Sequence, residues 1–300
     1  MKEQNSKAKK NKINFIIPDF LNVAGCVYLL DTFRNHFEVY KDEVNLLGFS
    51  GMLPGIAWNE RDKKFDMYKY KLELLQLLKE KYKSLRISLF LAFDKEEIDY
   101  RDLEDAYTNN VMSIFNDKDN YVICKSKKLA NYIQENYKEI NIINHFGNEK
   151  DFDKYILIKE TENSNKSLFE LDRINRFILY ADGNMIPNKN WLFHHKKNDS
   201  KLNRINPKKD KYYTSKPYFS FYEMKKQDNY LSYDKLKEYS KKGINMFMLS
   251  GFGVYNIAMY ENIVDYLFKE EYKKDQRLYI HECNKILIEQ EERAIHNYEM

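Results

Sequence analysis

The chain has 300 residues and a mass of 36.4 kDa, enough to bury a full core as one large domain or two ordinary ones. With 43% hydrophobic and 32% charged residues it is not a chain disordered throughout, and nine glycines and five prolines exclude collagenous or linker-like architectures. Lys and Arg number 50 against 46 Asp and Glu, a net +4 that by itself favours no polyanionic partner.

After a basic tail over residues 1–12, read as disordered, the apolar β-branched run Ile13 to Pro18 predicts a buried strand. From Val23 to Tyr40 the period changes. Val23, Val27, Leu30, Phe33 and Phe37 recur at spacings of three and four, which predicts a helix with one apolar face. Val44 to Phe49 is the next strand, followed by the Gly/Pro loop SGMLPG and a helix from about Asp66 to Tyr82. Leu85 to Phe93 predicts a third strand and residues 99–115 a helix. Tyr121 to Cys124 is the fourth strand, and Ser126 is placed to cap a helix running to Tyr137. Strands at Ile140 to Phe146, Tyr155 to Ile158 and Arg176 to Tyr180 follow, with a short helix from Ser167 to Ile174 before the last of them. Ser232 caps a helix ended by Gly243, Ile244 to Leu249 is the eighth strand, and a helix spans about Tyr255 to Phe268.

Short apolar strands alternating with amphipathic helices indicate a parallel sheet with helical crossovers. Eight of them is the count of a closed (β/α)8 TIM-like barrel, here read as one domain over residues 13–270. Distortion is expected between the fifth and sixth strands, where only Gly147 to Lys154 is left for a crossover. A doubly wound open sheet is the runner-up, although PDFLNVAG after the first strand is no GxGxxG, so no NAD site is expected. Residues 271–300 predict a charged C-terminal helix, a surface cap or an oligomer contact.

The charge is unevenly placed. Residues 183–230 form a long insertion with little periodicity, and within it Lys189 to Lys226 carries eleven Lys/Arg against three Asp/Glu, a net +8. Trp191, Phe193, Tyr212, Tyr213, Tyr218, Phe219, Phe221 and Tyr222 are interleaved with those bases. The tail adds +4, so the rest of the chain is net −8. Basic residues among aromatics suit single-stranded nucleic acid, a lid over an anionic substrate, or a solvated loop packed on the barrel.

Cys26, Cys124 and Cys283 show no ligand spacing, which fits a reducing, cytoplasmic setting. No apolar run is long enough to span a bilayer, so no membrane partner is expected. GxSxG, HExxH and P-loop patterns are absent.

In a barrel, chemistry is sought just past each strand's C-terminal end. Asp19 and Asn22 stand there after the first strand, Ser50 through Arg61 after the second, Asp94 after the third, and Lys125 and Ser126 after the fourth. His145 ends the fifth, Lys159 and Glu160 follow the sixth, Asp182 and Asn184 the seventh, and Ser250 the eighth. Asp19, His145 and Asp182 are the candidate acid/base residues, because carboxylates and an imidazole can move protons or hold a divalent metal. Asp19 and Asp182 can equally cap the helices that follow them, and His145 can be a hydrogen-bonded core residue. His194 and His195, adjacent in the basic insertion, are candidate substrate contacts and poorly spaced for zinc.

The segment GFSGMLPGIAWNER, Gly48 to Arg61, resembles part of the peptidase-U32-like barrel proteins, in which a strand leads through a Gly/Pro turn to a Trp-Asn motif ending in Arg. YVICKSKKLANYIQENYKEINIIN resembles that family's fourth unit, and GINMFMLSGFG stands where its closing strand would be. The resemblance implies a barrel fold and a hydrolase or nucleic-acid-modifying activity on a peptide-like or anionic substrate. It adds Trp58, Asn59, Glu60, Arg61 and Asn184 as candidate substrate-binding residues. ADGNMIPNKNWLFHH lacks the cysteines that the resemblance would place there, and Met248 and Phe252 stand where it would place Lys and Arg, so no iron–sulfur cluster is expected. Three functions are therefore carried forward: an enzyme working at the barrel's C-terminal face, a nucleic-acid-binding or modifying factor, and an inactive barrel acting as a binding module.

Overall fold

The computed structural model describes residues 12–18, 20–21, 23–59, 69–144, 156–159, 177–181, 225, 230–249, 257–279 and 282. Strand β1 (Ile13–Pro18) is followed by helix α1 (Val23–Asn35), β2 (Val44–Gly51), α2 (Leu72–Ser84) and β3 (Ser88–Phe93). Then come α3 (Tyr100–Leu103), α4 (Ala106–Phe115), β4 (Tyr121–Cys124), α5 (Lys127–Asn136) and β5 (Asn141–Asn144). After β6 (Ile156–Lys159) and β7 (Phe177–Tyr180), the chain forms α6 (Tyr233–Lys241), β8 (Met246–Met248) and α7 (Ile257–Leu267). Residues 273–279 are helical as well.

The expected closed (β/α)8 TIM barrel is corrected. The body is an open, six-stranded parallel half-barrel with edges 12 Å apart and helices packed around it. Its ladders run β8–β1–β2–β3–β4–β5. At the β5 edge the ladder to β6 has only two partner pairs, Ile143 with Ile156 and Asn144 with Leu157. Among the described residues, no helix lies between β5 and β6 or between β6 and β7. The short link Gly147 to Lys154 and the helix expected from Ser167 to Ile174 lie outside the described residues.

Within the half-barrel the alternation of each strand separates two apolar layers. Phe15, Phe49, Leu89, Leu91, Phe93, Val122 and Cys124 belong to the layer between sheet and helices. Ile16, Phe90, Ala92, Ile123, Ile143 and Met248 form a separate inner cluster. Phe90 stacks on Tyr121 with ring centroids 4.5 Å apart. Gly48 makes room for that ring: a Cβ there would lie 2.3 Å from the Ser88 carbonyl oxygen and 2.6 Å from Phe90 Cε2. Even alanine at position 48 would force β2 and β3 apart.

Local capping explains where the helices differ from expectation. Residues 99–115 form two helices, because two acids each start one. Asp99 caps α3 through a reciprocal box with Asp102, and Asp105 accepts from the Thr108 amide to start α4. Ser126 and Ser232 cap α5 and α6 as expected. Gly243, at φ 103°, takes the left-handed step after α6 that glycine makes without strain. The helix expected over Val23 to Tyr40 ends at Asn35, and a 3-10 turn over Phe37–Val39 carries the chain into β2.

Candidate functional site

Trp58 and Asn59 lie in the loop after β2, held between β3 and the α3–α4 pair. Trp58 is fully buried; its Nε1 donates to the Asp102 carbonyl at 2.9 Å, and its ring meets Phe93 and Tyr132 edge-on at 5.3 and 5.9 Å. The preceding amide, Ala57 N–H, donates to Thr108 Oγ1 at 2.8 Å. An indole enclosed this way cannot touch a substrate, so Trp58 bolts the loop to the scaffold. Asn59 is also buried. Its Nδ2 donates to the Leu53 carbonyl at 3.2 Å, while its Oδ1 accepts from the Asp94 amide at 3.4 Å. The Lys95 amide donates to the Trp58 carbonyl at 3.2 Å. Trp58 and Asn59 therefore fix the backbone at the C-terminal end of β3, where Asp94 stands.

Three polar residues stand on the inner side of the sheet at or near the ends of β2, β3 and β4. Phe49 packs against Tyr82 of α2, so Ser50, the next residue, faces the interior of the sheet. Ser50 is 1% exposed, pairs with Pro18 and Phe90, and its Oγ has no hydrogen-bond partner among the described residues. A buried hydroxyl left without a partner costs on the order of 1–3 kcal/mol, which marks the position. On β3, Phe90 and Ala92 face inward and Phe93 outward, so the alternation places Asp94 on the inner side. Asp94 is 1% exposed. On β4, Ile123 faces inward and Cys124 outward, and half-buried Lys125 continues the step inward. Phe93 pairs with Cys124, and the Lys125 amide donates to the Phe93 carbonyl at 3.3 Å, so Asp94 and Lys125 are the next neighbours along that ladder. An aspartate and a lysine at neighbouring ladder positions can bind a charged group and move a proton.

Burial pushes the Cys124 thiol up, and its outward-facing place in the core gives it no part in the mouth. Cys26 is buried and is not in a disulfide. Among the described residues no three His, Cys, Asp or Glu side chains are grouped to hold a metal ion. No described helix is long and apolar enough to cross a membrane.

Asp19, Asn22, Glu60, Arg61, His145, Asp182, Asn184, His194 and His195 lie outside the described residues, as does nearly all of residues 183–230. Of the candidate site residues only Trp58 and Asn59 are described, and both act on the scaffold of the mouth. Ser50, Asp94 and Lys125 stand at the strand ends where chemistry was sought, and strand alternation separates them from outward neighbours such as Cys124.

The chain matches no family model, no curated protein and no solved structure. This corrects the peptidase-U32 and hydrolase expectation: the Trp-Asn motif that carried the resemblance is a packing motif here, and no signature of that family is found.

Proposed function

We propose that the chain is an enzyme that binds a small anionic substrate at the C-terminal mouth of the half-barrel. Lys125 holds the anionic group and Asp94 handles the proton. The observation that carries this reading is the ladder-neighbour placement of Asp94 and Lys125 directly past β3 and β4. Asp19, His145 and Asp182 follow β1, β5 and β7 in the sequence and are the proposed acid/base partners. The test is a thermal-shift screen of carboxylated and phosphorylated metabolites against the full chain. At least one anionic compound is expected to stabilise the wild type and to lose its effect in Lys125→Gln. Asp94→Asn is expected to bind that compound and not turn it over. A panel without any stabilising anion, or a shift unchanged in Lys125→Gln, would refute the reading; turnover unaffected in Asp94→Asn would take Asp94 out of the chemistry, and binding without turnover by the wild type would leave a binding module.

A second reading rests on the net +8 and eight aromatics between Lys189 and Lys226. In it, that segment binds single-stranded nucleic acid through phosphate contacts and base stacking.

A further inference from the structure

We draw no further inference here: the strongest candidate, the exposed apolar face of α2 formed by Leu74 and Leu77, carries nothing because nothing in the structure shows what covers it.

Discussion

Lys41, between α1 and β2, gives a pH dependence opposite in sign to that of a paired lysine. Its Nζ donates to the Asp265 and Tyr266 carbonyls near the C-terminal end of α7 and lies 4.0 Å from the Tyr233 ring centroid. Burial, then the nearby Lys273 ammonium, lowers the amine from its ordinary 10.5 to about 8, against the opposing pull of Asp265 and Glu270. Between those two values the unfolded chain binds more protons at this site than the folded one, so stability rises with pH there. The two-pKa relation gives about 2 kcal/mol between about pH 7 and about pH 9.5. Lys41 is only half-buried, and solvent screening reduces the expected gain to about 1 kcal/mol. The assay is urea denaturation of wild type and Lys41→Met across that range. The difference between the two curves isolates Lys41 from the tyrosines, whose raised values place their titration higher. Wild type should gain on Lys41→Met by that amount as pH rises. A difference that stays flat, or shrinks, would refute the account of Lys41 as a desolvated amine.

The helical residues 273–279 are held by an ion pair: Arg277 Nε donates a bifurcated bond, 2.8 and 2.7 Å from the two oxygens of Glu261, a carboxylate 2% exposed on α7. Tyr279 stacks on Tyr28 of α1 at 4.1 Å. Arg277→Met leaves that carboxylate buried without its arginine and is expected to cost about 3 kcal/mol in chemical denaturation, with Glu261→Gln costing less; equal, small losses in both would show the pair to be incidental. For residues 189–226, binding of oligo(dT) to the full chain should weaken steeply between about 50 and about 200 mM salt. Salt-independent or absent binding would discard the nucleic-acid reading.

The amino-acid sequence by itself determined the local order of this protein. The β-branched runs at Ile13, Val44 and Tyr121 became strands, and Ser126 and Ser232 became caps, because burial on both faces and an N-terminal hydroxyl act within a few residues. It also located Asp94 and Lys125 by their places after strands. What it could not carry was the meaning of Trp58 and Asn59. A Trp-Asn pair in a Gly/Pro loop is the same string whether it binds a substrate or packs, and only the surrounding Phe93, Asp102 and Thr108, more than 30 residues away, make it a bolt. The closure of the sheet was likewise a tertiary matter. Strand count follows from periodicity, but whether eight runs make a regular barrel depends on crossovers and ladder lengths, and the thin β5–β6 pairing leaves an open six-stranded body. The partnerless hydroxyl of Ser50 appeared only with the fold, since a serine's lack of partners is a property of everything packed around it.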